Sequence, residues 1–198
     1  MNNATADSAN LPTFRTAVGP EDRQVVRTIV ASTGFFNPAE IDIAVELVEE
    51  HLAKGAEQSG YYFVFAECDA RTVGYSCYGP IAGTQQSHDL FWIAVDRSHQ
   101  AAGIGRRLLI ETERRIYQCG GRRVYVETSS RDQYLPTRTF YERCGYHREA
   151  ILEDFYAPGD GKVIYVRALE SEEFQQEPIP EPHEGKGTGT FCSEDSAK

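Results

Sequence analysis

Eight residues in the middle of the chain, Gln100 to Arg107, are the residues most suited to holding a charged ligand. They read Gln-Ala-Ala-Gly-Ile-Gly-Arg-Arg and join an apolar stretch, predicted to be a strand, to an amphipathic stretch, predicted to be a helix. Gly103 and Gly105 have no Cβ, so this turn can adopt positive φ and a phosphate can approach the main chain closely. The start of the helix adds unpaired N–H donors and partial positive charge. The pattern therefore predicts a loop that binds phosphate through its backbone.

Other phosphate-binding loops fit this run less well. The dinucleotide fingerprint requires a third glycine where Leu108 stands, and the sequence contains no Gly-Lys-Ser or Gly-Lys-Thr of a P-loop. An ordinary tight turn between a strand and a helix remains the alternative.

A second segment, from Tyr134 to Tyr146, has the pattern of a short helix with an aromatic face. Pro136 suits its first turn, Phe140 and Tyr141 follow Thr137 at spacings of three and four, and Gly145 suits the left-handed position that ends a helix. Tyr141 is either a core aromatic or a proton donor.

With both motifs in this order, the sequence resembles the GNAT superfamily of acyl-CoA-dependent N-acyltransferases. The first motif is similar to the family's Arg/Gln-x-x-Gly-x-Gly/Ala, the second to its Phe-Tyr-x-x-x-Gly-Phe, and the resemblance covers roughly Pro12 to Leu169. It implies an α/β fold with a mixed, mainly antiparallel central sheet, helices on both faces, and a splay between the two central strands. It also implies acetyl-CoA as co-substrate, no metal, and transfer of an acetyl group to a primary amine by direct attack.

The resemblance assigns cofactor contacts residue by residue. The loop amides would bind the pyrophosphate of coenzyme A, and the main chain near the end of the preceding strand would bind its pantetheine arm. Tyr134 stands where the family commonly has an Asn that helps to hold that arm, and Thr137 stands where the family commonly has Ala. The predicted cofactor-binding residues are Ile93, Ala94, Val95, Gln100, Ala101, Ala102, Gly103, Ile104, Gly105, Arg106, Tyr134 and Arg138.

The resemblance also assigns catalytic roles. Tyr141 would protonate the departing thiolate, and main-chain N–H near Val95 would stabilise the oxyanion. Glu127 and Asp89 are the predicted catalytic carboxylates, with a water chain as the alternative base. Cys144 has no His or acidic partner at a recognisable spacing, so an acyl-enzyme is not expected. A non-catalytic domain that binds acyl-CoA as a regulatory ligand is the alternative function.

Periodicity along the rest of the chain predicts alternating strands and helices. The strand before the loop is apolar after its first residue, which predicts burial on both faces. Strands are expected at residues 14–17, 61–67, 72–78, 89–95, 123–128, 150–156 and 163–167, and helices at 22–31, from 38 to about 55, from the loop to Gly120, and around Tyr141.

Composition predicts one folded domain, because 198 residues with 40% apolar content suffice for a single core. We expect a flexible N-terminus at residues 1–11, an acyl-CoA N-acyltransferase domain at 12–170, and an acidic disordered tail at 171–198. The segment from Glu170 onward contains eight acidic residues and two lysines, so it contributes six of the ten net negative charges. This acidity argues against nucleic-acid binding.

Cysteine usage and apolar runs bear on location and partners. The five cysteines are odd in number and lack metal-type spacing, which predicts reduced thiols in a cytoplasmic protein. The sequence has no basic leader with an apolar core and no stretch long enough to span a bilayer, so no membrane partner is expected. The resemblance makes a homodimer a reasonable expectation and leaves the amine acceptor unidentified.

Overall fold

The polypeptide alternates short strands with amphipathic helices, and the computed structural model, which describes residues 11–174, assembles them around one sheet. The strands are β1 Thr13–Arg15, β2 Tyr62–Cys68, β3 Arg71–Pro80, β4 Ser87–Val95, β5 Arg123–Ser129, β6 His147–Ala157 and β7 Asp160–Ala168. The α-helices are α1 Asp22–Thr33, α2 Pro38–Ser59, α3 Ile104–Gln118, α4 Leu135–Arg143 and α5 Ser171–Phe174. Short 3-10 turns occupy Arg97–His99 and Asp132–Tyr134.

The sheet contains seven strands in the order β1-β2-β3-β4-β5-β7-β6. Strands β4 and β5 run parallel, and every other pair of neighbours among the described strands is antiparallel. The predicted mixed, mainly antiparallel α/β fold is therefore confirmed.

The two central strands pair along only part of their length. The register between β4 and β5 runs from Ser87 opposite Arg123 to Leu90 opposite Val126. Beyond that point β4 stays paired with β3 as far as Val95, and β5 stays paired with β7 as far as Ser129. The strands have thus separated after Leu90, which is the predicted splay.

A bulge in β4 lies at the point of separation. On β3, Cys77 faces Trp92 and Tyr78 faces Leu90, which leaves Phe91 without a partner in the register. An extra residue of this kind bends its strand and increases the local twist. The bulge therefore turns the second half of β4 away from β5.

Two apolar cores cover the two faces of the sheet. One core joins α3 and α4 to alternate residues of β4 and β5, among them Leu90, Val124 and Val126. The other joins α1 and α2 to β2, β3 and the opposite face of β4, where Trp92 and Ala94 lie. Any opening between β4 and β5 therefore connects these two faces.

Two details of the sequence prediction are wrong, and one is incomplete. Strand β4 is not covered on both faces, since Phe91 is 40% exposed beside the splay. The helix that begins at Pro38 is interrupted at Gly55 as expected, where φ is +77°, but helical residues resume after it and end before a left-handed Gly60. Residues 171–174 form α5, and Phe174 stacks on Tyr117 with ring centroids 5.3 Å apart. The rest of the predicted tail and most of the predicted flexible N-terminus lie outside the described residues.

Four cysteines fall within the described part of the chain, namely Cys68, Cys77, Cys119 and Cys144, and all four are free thiols. Across residues 11–174, none of the helices combines the length and apolar character that crossing a membrane demands.

Candidate active site

The loop between β4 and α3 presents backbone donors at the surface. Ala101 and Gly103 both have left-handed backbones, with φ of +65° and +75°. Ala101, Ala102 and Gly103 are exposed, and a Cβ built on Gly103 would meet no atom within 4 Å. No amide from 101 to 106 donates to a backbone carbonyl of the described chain, whereas the amide of Arg107 donates to Gly103 O at 3.2 Å. The loop can therefore accept an anion against its N–H groups.

Two contacts hold this loop against the end of β4. The Nε2 atom of Gln100 donates a hydrogen bond to Val95 O over 3.1 Å. Gly105 has ordinary helical conformation, contrary to the expectation of positive φ, and its missing Cβ would lie 3.7 Å from Val95 and 3.8 Å from Phe140. Gly105 thus brings α3 close to both β4 and α4 rather than forming the turn.

A cavity of about 410 Å³ occupies the splay next to the loop. Its walls include Ile93, Val95 and Gln100 on the side of β4, and Glu127, Thr128 and Ser129 on β5. Tyr141 contributes from the α3 and α4 face of the sheet, and Phe36 and Trp92 contribute from the α1 and α2 face. The cavity therefore opens through the sheet.

Tyr141 lies in the wall of this cavity and is 5% exposed. Its ring packs against Phe140, Tyr146 and Tyr165, at centroid distances of 5.4, 5.5 and 6.2 Å. Its hydroxyl makes no hydrogen bond to a described residue. Burial raises the pKa of the Tyr141 phenol, and the nearby Cys144 adds to the rise. A phenol in this setting keeps its proton at neutral pH and is able to donate it.

Glu127 points into the opposite end of the cavity. Alternation along β5 places Val124 and Val126 in the α3 core and Glu127 on the other face. One carboxylate oxygen lies 2.6 Å from Lys162 Nζ, and the Glu127 side chain is 47% exposed. Lys162 is itself held over the Phe155 ring, 3.9 Å from its centroid. This ion pair keeps a carboxylate at the cavity mouth.

Asp89 lies on β4 just before the splay and does not line the cavity. Burial raises the pKa of the Asp89 carboxyl, the charge of Glu127 raises it further, and Lys162 opposes the rise. Asp89, Glu127 and Lys162 therefore form one electrostatically connected group.

The remaining predicted site residues fall in different places. Tyr134 lines the cavity, with its ring 6.2 Å from that of Phe35. Arg106 lines a second cavity, of about 700 Å³, between α3 and α4. Arg138 lines neither, because its Nη1 donates to the carbonyls of Ser129 and Arg131 at 2.7 and 2.9 Å. Arg138 therefore braces the loop before α4.

Sequence reasoning missed several residues of the cavity wall. Thr128 is 7% exposed, and its hydroxyl has no hydrogen-bond partner within residues 11–174. Asp160 arrives from β7, where its carboxylate accepts from Ser129 Oγ and pairs with Arg131 Nε at 3.0 Å. Thr128 directly follows Glu127 in a predicted strand, so the alternation of side chains along that strand was the signal that could have found it. Asp160 is distant in sequence from the other residues of the wall, and no sequence signal pointed to it.

Residues 11–174 contain no cluster of three or more His, Cys, Asp or Glu side chains arranged to hold a metal ion.

Comparison with known proteins gives consistent results. Residues 59–148 match the family described as the acetyltransferase (GNAT) domain. The chain is 49% identical to a GNAT-family protein from Desulfovibrio desulfuricans, whose structure superposes with a TM-score of 0.77 over 79% of this chain and 98% of that chain. Among curated proteins, none matches the sequence significantly.

Two more distant structures share the fold. One is an aminoglycoside 6'-N-acetyltransferase complexed with coenzyme A, at 17% identity and TM-score 0.62, covering 79% of this chain and 96% of that one. The other is a GNAT family acetyltransferase from Elizabethkingia anophelis with acetyl-CoA bound, at 14% identity and TM-score 0.59, covering 81% and 99%. At such identities the likeness concerns the fold alone. The relative at 49% identity, matched over nearly its whole length, shows that this chain belongs to the GNAT family of acetyltransferases.

Proposed function

We propose that this protein transfers an acetyl group from acetyl-CoA to a primary amine by direct attack, with Tyr141 as general acid. The observation that carries the proposal is the cavity in the splay, because one opening is bordered by β4, by β5 and by the buried Tyr141. Two distant structural neighbours bear coenzyme A or acetyl-CoA, which supports the choice of acyl donor.

The placement of the donor follows from the two cavities and the loop between them. Gln100 borders the cavity in the splay, Arg106 borders the cavity between α3 and α4, and the amides of Ala101 to Gly105 lie between these residues in the chain. A diphosphate on those amides, with the positive end of α3 behind it, directs one arm of the ligand into the splay. In the splay, the edge of β4 from Ile93 to Val95 has no partner in β5, so its main chain is available to the arm except for Val95 O, which accepts from Gln100.

The chain needs few side chains for the chemistry. Holding the thioester and the amine at attack distance lowers the barrier by several kcal/mol through orientation alone. The amine nitrogen attacks the thioester carbonyl carbon, main-chain N–H near Val95 stabilises the oxyanion, and the carbon–sulfur bond breaks. Tyr141 gives its hydroxyl proton to the departing sulfur.

The proton lost by the amine requires an acceptor. Glu127 lines the cavity and is the better placed of the two candidate carboxylates, and its charge adds to the rise in the pKa of Asp89. If the proton of the amine passes through a water molecule, Glu127 is still the group that finally accepts it.

Thiol release tests the proposal. Wild-type protein is mixed with acetyl-CoA and a panel of primary amines, and free coenzyme A is followed with a thiol reagent. We expect amine-dependent release, and we expect Tyr141→Phe to lower kcat by about 10²-fold or more, because a general acid contributes 10²–10⁴-fold. The KM for acetyl-CoA should change less than about twofold, since the phenol acts on the transition state.

Tyr165→Phe is the matched control, because Tyr165 packs against Tyr141 but donates its hydroxyl to Glu142 instead of lining the cavity. An equal fall in kcat for both variants contradicts the role of Tyr141. Cofactor binding without thiol release for any amine favours a regulatory acyl-CoA-binding domain.

A further inference from the structure

The α1 and α2 side of the cavity, opposite the phosphate loop, is rich in aromatic side chains. Phe36 and Trp92 pack together there, with ring centroids 4.8 Å apart. Phe35, Phe91 and Tyr156 complete this wall. We name these five residues the aromatic wall. They come from the α1–α2 connection, from the β4 bulge and from β6, so tertiary structure alone brings them together.

Three members of the aromatic wall are exposed although they border a cavity. Phe35 is 38% exposed, Phe91 40% and Tyr156 49%. Isolated exposed aromatics are ordinary on protein surfaces, but exposed rings from three segments around one opening form an apolar patch of the kind that binds a ligand. The wall therefore favours a flat apolar group over a heavily hydrated one.

Charge on the same side favours a cation. Glu40 and Glu127 border the cavity together with Asp160, whereas Arg131 is the basic residue in its lining. Asp160 forms an ion pair with Arg131, and Glu127 forms one with Lys162. Glu40 forms no ion pair within the described residues and accepts a hydrogen bond from the backbone of Asn37 at 2.7 Å. One negative charge thus remains uncompensated, which suits a single ammonium group.

From this wall and its charge we infer that the acceptor is a small primary amine carried on an aromatic or similarly flat apolar body. The inference rests on the proposed function, since it names the acceptor of that reaction. The ring lies against the aromatic wall, and the amine reaches through the splay toward the thioester. Polyamines, amino sugars and a peptide with N-terminal alanine lack the apolar body that these rings would cover.

A comparison of matched amines tests the acceptor class. The probes are 2-phenylethylamine, ethylamine, spermidine and a peptide with N-terminal alanine, each assayed with acetyl-CoA by thiol release. We expect kcat/KM for 2-phenylethylamine to exceed that for ethylamine at least about tenfold, because burial of the ring favours the larger amine. Trp92 is the only tryptophan in the chain and lines the cavity, so its fluorescence reports binding of the same amine without turnover.

Exposed members of the wall allow variants that keep the fold. Phe35→Ala and Tyr156→Ala should lower kcat/KM for 2-phenylethylamine about fivefold or more and leave that for ethylamine within about twofold. Ile110→Ala is the control, because Ile110 is 38% exposed on α3 and does not line the cavity. It should change neither value.

The outcomes separate the two proposals. The aromatic acceptor is overturned if kcat/KM for ethylamine, spermidine or the peptide exceeds that for 2-phenylethylamine. It is also overturned if Phe35→Ala and Tyr156→Ala lower kcat/KM equally for 2-phenylethylamine and ethylamine. Either result leaves the proposed acetyl transfer intact. No thiol release with any amine, although the protein binds acetyl-CoA, overturns the proposed function itself.

Discussion

The two halves of β4 differ in almost every physical respect. From Ser87 to Leu90 the strand is paired on both sides, and its neighbours Val124 and Val126 are fully buried beneath α3. From Phe91 to Val95 it borders a cavity, with Phe91 in the bulge and the residues from Trp92 onward paired with β3 alone. We call these the closed half and the open half.

The polar groups near the two halves also differ in whether they have partners, as one ion pair and one hydroxyl illustrate. Beneath the closed half, buried Glu113 accepts a hydrogen bond from Tyr146 at 2.8 Å and pairs with Arg167 at 2.7 Å. At the open half, the buried hydroxyl of Thr128 has no partner among the described residues. The ion pair beside the closed half thus contributes stability, whereas the Thr128 hydroxyl is unsatisfied in the wall of the cavity, where a ligand is expected. Within the described part of the chain, the closed half has one unsatisfied buried atom of its own, His88 Nδ1, which does not line that cavity.

The largest effect on stability should come from the closed half. Glu113→Ala removes the almost wholly buried carboxylate that pairs with Arg167 and accepts from the Tyr146 hydroxyl, and loss of one partner of a buried ion pair costs about 3–5 kcal/mol. Urea unfolding measures the loss. The KM for acetyl-CoA of the remaining folded protein should stay within about twofold, and a large rise would show that the two halves are not separate.

The phosphate loop should show a loss of binding beyond its loss of stability. Gly103→Ala and Gly159→Ala both place a Cβ in open space at positive φ, so each should cost about 1–2 kcal/mol of stability. Gly159 lies in the β6–β7 turn, away from the loop. We expect the KM for acetyl-CoA to rise about tenfold or more for Gly103→Ala alone, and equal kinetics for the two variants would remove the loop from the site.

Two buried threonines give a smaller and sharper contrast. Thr112 shares hydrogen bonds of 2.7 Å with Ser76 Oγ and with Leu108 O, so Thr112→Val should cost about 1 kcal/mol. Thr128→Val removes a hydroxyl that has no partner between residues 11 and 174 and should change the free energy of unfolding by less than about 0.5 kcal/mol. Thermal and urea unfolding of the free protein measure both, and a Thr128 loss equal to that of Thr112 would contradict the assignment of Thr128 to the open half.

The smallest effect concerns pH. Because burial and Glu127 raise the pKa of Asp89, the folded state disfavours its ionised form at neutral pH. Asp89→Asn should therefore raise Tm at pH 7, and the gain should shrink as the pH falls through the raised pKa toward the ordinary value. Tm measured for both proteins from pH 7 to pH 4 checks the sign, and a gain that grows toward low pH contradicts it.

Much of this architecture was predictable because its signals are local. The glycine pattern after β4, the proline and glycine that bound α4, and the alternation in β5 each act over a few residues. The resemblance carried by these motifs supplied the splay and the position of Tyr141. The helical segment that resumes after Gly55 was not predicted, because a glycine at this point is a local signal for the end of a helix.

Local sequence patterns thus predicted the loop after β4 that we propose binds phosphate, and they identified most of the strands and helices and the family. Tertiary structure decided which residues surround the open half of β4, because the bulge at Phe91, the Glu127–Lys162 pair and the aromatic wall join segments far apart in the chain. Periodicity reports which face of an element is apolar, but it contains no information on which distant side chains meet across a gap.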